Sequence, residues 1–227
     1  KKVPIILTLQ EGDSENHLKY RWAGLLDLSW RLALKRTDIL TGLSNYLLKR
    51  AHRLGYHGES FLIPNGVDVK RFENLNYQFR DSINTLITTS RLENKNAVVD
   101  VIESLKFLPE NIRFKIIGVG RLKSKLRTKV KKFGLENRVE FLGAIPNKEL
   151  PQYLHDADVF IRPSLSEGQG ISFIEAMAAK LPVIATPVGG IIDFLKDGET
   201  GLFCEVHNPE SIAKQVQRLI NDEPLRQ

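Results

Sequence analysis

The segment VFIRPSLSEGQGISFIEAMAAKLPVIAT, residues 159–186, indicates the fold of this chain more clearly than any other stretch. It begins with an apolar, partly β-branched run at 159–162 and ends with a similar run at 183–186. Between these runs, a glycine-rich turn is followed by apolar residues at helical spacing over 171–179. A strand, a helix and a second strand in this order predict a βαβ unit with parallel strands.

The same alternation of apolar runs and helical patterns extends along nearly the whole chain. The predicted strands are 3–9, 38–42, 60–63, 84–89, 113–117, 139–142, 159–162, 183–186 and 201–204. The predicted helices are 17–35, 46–54, 97–107, 122–133, 148–156, 171–179, 191–195 and 209–220. Several strands are continuously apolar, as expected when both faces of a sheet are covered. We therefore expect an α/β fold with a doubly wound parallel sheet.

A domain boundary is predicted between residues 64 and 81. The tripeptide PNG at 64–66 is a turn signal, and the polar segment that follows it has no clean period, which is typical of a linker. Residues 1–72 show only three strands, so we expect an incomplete α/β domain there. Residues 73–227 hold six strand–helix repeats and are predicted to form a complete Rossmann-like domain.

The chain carries a net charge of +6, and part of this excess lies in the run RLKSKLRTKVKKFG at 121–134. Its apolar residues recur at helical spacing, which predicts an amphipathic surface helix with solvated cations. Attraction to an anionic membrane surface is the alternative interpretation of this run. No nucleic-acid-binding module is recognisable, so we expect no nucleic-acid partner.

Cys204 is the only cysteine, so no disulfide can form within the chain and a reducing compartment suits it. No apolar stretch is long enough for a transmembrane helix. We expect a cytoplasmic protein, and the basic run leaves peripheral contact with the inner face of the membrane open. Because the sequence lacks an initiating Met and opens directly in a strand, we also expect part of a longer protein.

Ligands of open α/β sheets bind beyond the carboxyl ends of the strands, so the residues that follow each strand are the first place to look. The loop SEGQG at 166–170 follows one strand and opens the helix at 171–179. The start of a helix offers free backbone N–H groups and a partial positive charge to an anion. Gly168 and Gly170 would let the backbone approach a phosphate closely. A plain turn between strand and helix is the alternative.

Four charged residues fall near the same strand ends. Arg91 and Lys95 follow the strand at 84–89, and two fixed cations can neutralise a diphosphate leaving group without a metal. Glu167 and Glu175 lie eight positions apart, and a carboxylate can accept hydrogen bonds from two neighbouring hydroxyls of a ribose or hexose. Each of these charges, taken alone, could equally be a solvated surface group.

Several other kinds of site have no support in the sequence. There is no P-loop, and GVG at 118–120 lacks the third glycine of the dinucleotide-binding fingerprint. The histidines show no metal-ligand spacing, and no Gly-x-Ser-x-Gly elbow is present. We therefore expect neither a metal site nor a resident cofactor.

Taken together, the motifs resemble the large fourth family of retaining glycosyltransferases. The resemblance runs through nearly all of 81–227 and reaches back to residue 63. Its pieces are IPNGVD at 63–68, SRL at 90–92 with KN at 95–96, FLG at 141–143, SEGQG at 166–170, FIEAMA at 173–178, PVIAT at 182–186, VGG at 188–190 and DGETGL at 197–202. Each piece alone is weak, but their order and spacing together are specific.

The resemblance implies a GT-B fold, in which two Rossmann-like domains flank the donor and the C-terminal one binds most of it. Arg91 and Lys95 would hold the diphosphate, with the Lys four positions after the Arg where many members have five. Glu167 would face the donor sugar, and Glu175 would accept the ribose hydroxyls. The predicted catalytic residues are therefore Glu167, Arg91 and Lys95.

The remaining predicted donor-binding residues contribute mostly backbone. In the family, the backbone at Gly170 and Ile171 would support the phosphates, and the loop with Ala144 and Ile145 would border the base. The predicted donor-binding set also includes Gly118, Gly168 and Ser172.

The implied reaction transfers a hexose from a UDP- or GDP-sugar to a glycan or lipid-linked acceptor, with retained anomeric configuration, by same-face attack and without an obligatory metal. Polysaccharide biosynthesis is the expected context by analogy. Family members often carry a glycine-rich loop and a histidine in the N-terminal domain, and neither is visible here. QEGD at 10–13 would border the acceptor. A non-catalytic nucleotide-sugar-binding domain and a GT-B-type sugar-nucleotide epimerase remain open alternatives.

Overall fold

The computed structural model describes residues 3–13, 25–73 and 82–226, which fall into two compact units. The first unit contains the chain up to Gly66 together with Ser166–Gly170 and Val188–Phe194. The second unit contains the remainder of the chain from Val67 onward. The glycine-rich loop at 166–170 therefore groups with the N-terminal segment. The domain boundary predicted between residues 72 and 73 stays a prediction.

The first unit is built on a three-stranded parallel sheet with the order β1-β2-β3. Its elements in chain order are β1 Ile6–Leu9, α1 Leu25–Arg36, β2 Ile39–Gly42, α2 Asn45–Arg53 and β3 Glu59–Leu62. Ser44 caps α2, since its side chain accepts a hydrogen bond from the backbone N–H of Leu47 at 3.3 Å. Leu40 and Leu47 are fully buried in the small core between the sheet and its helices.

The second unit is built on a six-stranded parallel sheet with the order β6-β5-β4-β7-β8-β9. Its elements in chain order are α3 Lys70–Glu73, β4 Thr85–Thr89, α4 Val98–Ser104, β5 Arg113–Ile117, α5 Lys123–Lys132, β6 Val139–Gly143, α6 Leu150–His155, β7 Val159–Arg162, α7 Ile171–Ala178, β8 Val183–Ala185, β9 Leu202–Phe203, α8 Pro209–Asn221 and α9 Glu223–Arg226. Among the helices that the structure describes, none is long and apolar enough to cross a membrane.

The strand order of the second sheet reverses between β4 and β7, which pair although they are not consecutive in the chain. Such a reversal is the topological switch point of a doubly wound sheet. All four residues of β7 are buried, because both faces of this central strand are covered. The prediction of a doubly wound parallel sheet is therefore confirmed.

The nine predicted strands are all present, with small shifts at their ends. The helices predicted at 46–54, 122–133, 148–156, 171–179 and 209–220 are confirmed in the same way. Of the helix predicted at 17–35, residues 17–24 lie outside the described residues, and the rest belongs to α1.

Two predicted helices are corrected. The helix predicted at 97–107 is α-helical only over Val98–Ser104 and ends in a 3-10 turn, Leu105–Phe107. Leu108 precedes a proline, which disfavours helical backbone, and it is extended with a φ of −112°. The helix predicted at 191–195 is a 3-10 helix at Gly189–Asp193.

The linker predicted at 64–81 is also corrected in part. Lys70–Glu73 form the short helix α3 within it. Phe72 is only 5% exposed, so the burial of one aromatic side chain stabilises this turn in an otherwise polar segment. Residues 74–81 of the predicted linker lie outside the described residues.

Candidate functional site

The carboxyl ends of β4 and β7 meet at the switch point of the second sheet, where open α/β sheets bind their ligands. The loops that leave these strands are joined, because the backbone N–H of Leu165 donates to the carbonyl of Lys95 at 2.7 Å. The loops after β5 and β6 are joined as well, through the N–H of Gly118 and the carbonyl of Gly143 at 2.7 Å. The loops that follow β4, β5, β6 and β7 therefore leave the sheet at one edge.

The loop between Arg91 and Lys95 is fixed by a buried amide. Asn96 is 5% exposed, and its side chain donates to the carbonyl of Arg91 at 2.6 Å. Ala97 follows with a left-handed backbone at a φ of 47°, which ends the turn and leads into α4. The Arg91 residue is exposed and Lys95 is half-buried, so this loop presents two cations at the carboxyl edge.

The loop after β6 contains the two residues predicted to border the base. Ala144 is exposed and Ile145 is partly exposed. The same loop is held at Asn147, whose backbone carbonyl and side-chain oxygen both accept from Nη2 of Arg71, the latter at 2.8 Å. Arg71 lies in α3 and is not among the residues predicted from the sequence.

Arg162 is a second site residue that the sequence analysis missed. It is 7% exposed and ends β7. Its Nη1 donates to the hydroxyl of Ser172 at 2.7 Å and to the carbonyl of Thr89 at 3.4 Å, and its Nε donates to the hydroxyl of Ser164 at 3.1 Å. Arg162 therefore ties the start of α7 to the ends of β4 and β7. The signal that could have revealed it is a cation at the last position of an apolar strand.

Helix α7 begins at Ile171, which is 39% exposed, whereas Ser172 is 6% exposed and is engaged by Arg162. The first N–H groups of a helix have no partner within the helix and carry a partial positive charge. A buried guanidinium beside them adds charge of the same sign. This part of the edge consequently favours an anionic ligand.

Glu175 lies in the second turn of α7 and is half-buried. Burial raises the pKa of its carboxyl, and the nearby charges of Arg71 and Arg162 oppose this rise. Once ionised, the carboxylate can accept two hydrogen bonds from neighbouring hydroxyls. The predicted role of Glu175 as a ribose ligand is compatible with this setting and stays a prediction.

Hydroxyl groups at the end of β4 are also notable. In the part of the chain that the structure describes, the side-chain oxygens of Thr88, Thr89 and Ser90 are buried and have no hydrogen-bond partner. Buried polar groups almost always find a partner. These oxygens can therefore bond to water or to a ligand at the switch point.

In the first unit, the loop at 166–170 is clamped by side-chain to backbone hydrogen bonds. The hydroxyl of Ser166 donates to the carbonyl of Gly12, in the loop after β1. Gln169, only 6% exposed, exchanges two hydrogen bonds of 2.9 Å with the backbone of Asn65, which follows β3. The predicted turn at 64–66 and the QEGD segment thus both serve to hold this loop.

Close backbone approaches complete the clamp. A Cβ on Gly12 would overlap the backbone nitrogen of Gly168, and a Cβ on Gly168 would lie only 2.8 Å from the carbonyl oxygen of Gln10. Gly189 has a φ of 58°, and a Cβ there would overlap the carbonyl of Glu167. Only glycine fits these positions, which gives a structural reason for the VGG motif.

The side chain of Glu167 is placed by this loop. It is half-buried, and its Oε1 accepts from the backbone N–H of Gly168 at 3.1 Å. Its own carbonyl accepts from the N–H of Gly190 at 3.1 Å. Gly170 ends the loop with a φ of 91°. The roles predicted for Glu167, Gly168 and Gly170 at a donor sugar and its phosphates stay predictions.

The QEGD segment is itself supported by a buried cation. Arg50 is 2% exposed and donates from Nη1 to the carbonyl of Asp13 at 2.7 Å and from Nη2 to that of Glu11 at 2.9 Å. Its guanidinium also lies 5.4 Å from the ring centre of Trp30. A groove of about 540 Å³ adjoins the segment, lined by residues 7–11 and by one face of α1.

A groove of about 610 Å³ lies elsewhere in the second unit, where Pro182 and Val183 open β8 and Leu202 opens β9. It is therefore at the amino-terminal edge of the sheet, and none of the predicted site residues lines it. Within residues 3–13, 25–73 and 82–226, no group of three or more His, Cys, Asp or Glu side chains could hold a metal ion. The expectation of a reaction without an obligatory metal stays a prediction.

A doubly wound parallel sheet with charged groups at its switch point is an architecture that many ligand-binding proteins share. Comparison with known proteins shows the family to which this chain belongs. The chain belongs to the glycosyl transferases group 1 family, whose model matches residues 70–227. The resemblance to a glycosyltransferase family found in the sequence is therefore confirmed.

Two curated relatives illustrate the family. The uncharacterized glycosyltransferase MJ1178 of Methanocaldococcus jannaschii is 29% identical over 99% of this chain and 60% of its own length. The putative colanic acid biosynthesis glycosyltransferase WcaL of Salmonella typhimurium is 28% identical over 80% of this chain and 47% of its own length. The chain thus spans about half to three fifths of the length of these relatives.

Among solved structures, the chain is similar to HepE of Anabaena, crystallised in complex with UDP and glucose. The TM-score is 0.85 at 21% identity, over 98% of this chain and 63% of that one. This likeness confirms the predicted α/β fold of GT-B type.

Proposed function

We propose that this chain carries the donor site of a retaining glycosyltransferase that moves a hexose from a UDP- or GDP-sugar to a glycan or lipid-linked acceptor. The observation that carries the proposal is the gathering of the Arg91 and Lys95 loop, the start of α7 and the half-buried Glu175 at one sheet edge. The UDP and glucose bound to HepE support a nucleotide-sugar donor. The colanic acid role in the name of WcaL supports a glycan acceptor.

The diphosphate of the donor binds to the cationic part of the edge. Arg91 makes forked hydrogen bonds to phosphate oxygens, and Lys95 adds a compact charge. The backbone N–H groups at Gly170 and Ile171 contribute further donors at the start of α7. These groups stabilise the negative charge that develops on the leaving nucleoside diphosphate, which is the role a metal ion plays in other transferases.

The nucleoside binds further along the same edge. Glu175 accepts hydrogen bonds from the two ribose hydroxyls, and the loop with Ala144 and Ile145 borders the base. Gly118 and the hydroxyl of Ser172 complete the donor-binding residues, the first through its backbone and the second as a neighbour of Arg162.

Glu167 acts on the donor sugar, where its carboxylate accepts hydrogen bonds from sugar hydroxyls. During transfer, the bond between the anomeric carbon and the β-phosphate oxygen breaks, and the acceptor hydroxyl attacks from the same face. The acceptor proton passes to the departing phosphate oxygen. Because the new bond forms on the face from which the phosphate leaves, the configuration at the anomeric carbon is retained.

Two surfaces support the proposed acceptor and cellular context, the groove beside the QEGD segment and the basic helix α5. The groove beside the QEGD segment is lined partly by Trp30, and an aromatic ring suits the apolar face of a sugar. Helix α5 has six cations and no acid among its ten residues, which suits peripheral contact with an anionic membrane surface. The sugar-binding groove and the basic helix are both compatible with a cytoplasmic enzyme of polysaccharide biosynthesis.

The experiment that tests the proposal separates binding from turnover in the full-length protein. Glu167→Ala should lower the release of UDP or GDP from a panel of UDP- and GDP-hexoses by roughly 100- to 1,000-fold. Its affinity for UDP or GDP should change by less than about threefold, because the nucleotide does not contact this carboxylate. Glu136→Ala, on an exposed glutamate, is the matched control.

Four outcomes would count against the proposal. Equal losses of turnover and affinity in Glu167→Ala would remove the proposed role of that residue. Nucleotide binding without transfer by the full-length protein would favour the non-catalytic alternative, and interconversion of donor isomers without acceptor would favour the epimerase. If neither nucleotide bound at millimolar concentration, the donor site itself would be refuted.

A further inference from the structure

Arg71 occupies an unusual position for a residue in a polar connecting segment. It lies in the four-residue helix α3, whose Phe72 is buried. Its Nη2 donates to both the carbonyl and the side-chain oxygen of Asn147, 76 positions further along the chain. The N–H groups of this one nitrogen fork to two oxygens and so fix both the backbone and the side chain of one residue.

The loop that Arg71 holds is the one proposed to border the base. It starts at Gly143, whose carbonyl is bonded to Gly118. Asn147 lies at the other end of the same stretch. Ala144 and Ile145 therefore lie between two residues that hydrogen bonds hold in place, Gly143 and Asn147. Without Arg71, the stretch would keep its bond at Gly143 and the backbone bond from the N–H of Leu150 to the carbonyl of Asn147 at 3.3 Å, but it would lose its side-chain tie to α3.

The charge of Arg71 also acts on the proposed ribose ligand, Glu175. The half-buried carboxylate of Glu175 has guanidinium groups from two elements near it, Arg71 of α3 and Arg162 of β7. The two arginines are not equivalent. Arg162 is almost fully buried and is committed to Ser172, Ser164 and Thr89, whereas Arg71 is partly exposed.

We propose that Arg71 is a positioning residue for the nucleoside half of the donor: it fixes the loop at 144–147 and sets its charge beside Glu175. This inference rests on the proposed function, because it assigns Arg71 to the base and ribose rather than to the diphosphate. It predicts that loss of Arg71 weakens the binding of a nucleoside diphosphate but not of its pyrophosphate portion.

A purely structural tie between α3 and the loop would give a different result. In that case, substitution would lower stability and would affect all ligands of the edge alike. The two roles are separable because inorganic pyrophosphate contacts only the cationic part of the edge, whereas UDP and GDP contact both parts.

The test is calorimetric titration of UDP, GDP and inorganic pyrophosphate into the full-length protein and three variants. Arg71→Gln should weaken UDP and GDP by about tenfold, since a charge-assisted forked contact is lost. Its pyrophosphate affinity should stay within about twofold of the wild type. Arg71→Lys keeps the charge without the fork and should lose less affinity than Arg71→Gln.

Arg138→Gln is the matched control. Arg138 also donates to backbone carbonyls, those of Ile112 at 3.0 Å and Pro109 at 2.8 Å, but it does so next to the amino-terminal end of β5. We expect this variant to melt at a lower temperature and to bind UDP, GDP and pyrophosphate like the wild type.

The possible results are distinct. If the wild type binds neither nucleotide, the proposed function fails and the role of Arg71 fails with it. If the wild type binds and Arg71→Gln binds nucleotide equally well, only the inference about Arg71 is overturned. It is also overturned if nucleotide and pyrophosphate weaken to the same extent.

Discussion

The loop that carries Glu167 and the edge that carries Arg91 and Lys95 are built in opposite ways. The first is held by backbone contacts, by glycines and by two neutral side chains, Ser166 and Gln169. The second is made of charged side chains. Burial there disfavours the ionised form of Glu175, whose pKa is raised. The comparison teaches that motif residues can serve shape in one region of the molecule and chemistry in another.

The largest expected effect is on folding stability, at a glycine that packs against the Glu167 loop. Gly189→Ala places a Cβ against the carbonyl of Glu167 and forces alanine into a left-handed backbone, so we expect a loss of about 2–4 kcal/mol in the free energy of unfolding. Thermal and chemical denaturation measure this loss.

Gly198→Ala is the control for Gly189→Ala. Gly198 has a similar φ of 75°, but a Cβ there meets nothing within 4 Å. Its substitution should cost only about 1 kcal/mol. Equal losses in the two variants would show that the close approach to Glu167 contributes nothing, and the contrast between the two regions would then break down.

A smaller effect is expected for Glu175 at the charged edge. Its substitution should raise, rather than lower, the free energy of unfolding. Because burial raises the folded pKa of Glu175, the native state favours the protonated form, and the contribution to stability is lost as pH rises through the folded pKa. Glu175→Gln removes this cost. It should melt at a higher temperature than the wild type at pH 7, and the difference should vanish as pH falls below the ordinary pKa of 4.5.

The same variant should bind nucleotide less well. Loss of the carboxylate removes the acceptor for the ribose hydroxyls, so UDP affinity should fall by about tenfold at pH 7. A variant that is both less stable and unchanged in affinity would contradict the assignment of Glu175 to ligand binding.

The smallest effect concerns charges on α5, a helix that carries none of the predicted site residues. Lys125 and Lys132 are exposed on α5, and Lys125→Gln with Lys132→Gln should weaken cosedimentation with vesicles containing anionic lipid by several-fold, roughly ten at most. The matched control, Lys214→Gln with Arg218→Gln on α8, should have no such effect. Equal binding of all variants, or binding to neutral vesicles, would exclude α5 as a membrane contact.

Much of the fold could be predicted from the sequence, because strands and helices leave periodic apolar patterns. The βαβ unit at 159–186 is an example, since each apolar run became the buried element it predicted. The type of the helix predicted at 191–195 could not be read from the sequence, because so short a run covers too few turns to distinguish an α-helix from the 3-10 helix found at Gly189–Asp193.

The site could be predicted only in part. Charged residues that directly follow strands, such as Arg91, could be predicted as site residues because the carboxyl ends of parallel strands lie at one edge of the sheet. Arg71 and Arg162 were missed because their roles depend on partners distant in the chain, Asn147 and Thr89. The clamp between Gln169 and Asn65 joins residues 104 positions apart, which no local pattern can reveal.

The most direct measurement is calorimetric titration of UDP and GDP into the wild type and into Arg91→Gln combined with Lys95→Gln. The account predicts binding of at least one nucleotide by the wild type, weakened by about 100-fold or more in the double variant as two charge-assisted contacts to phosphate are lost. The melting temperature without ligand is measured for both proteins, so that a loss of folding is distinguished from a loss of binding. Equal affinity in both proteins would contradict the claim that this cationic edge holds the diphosphate.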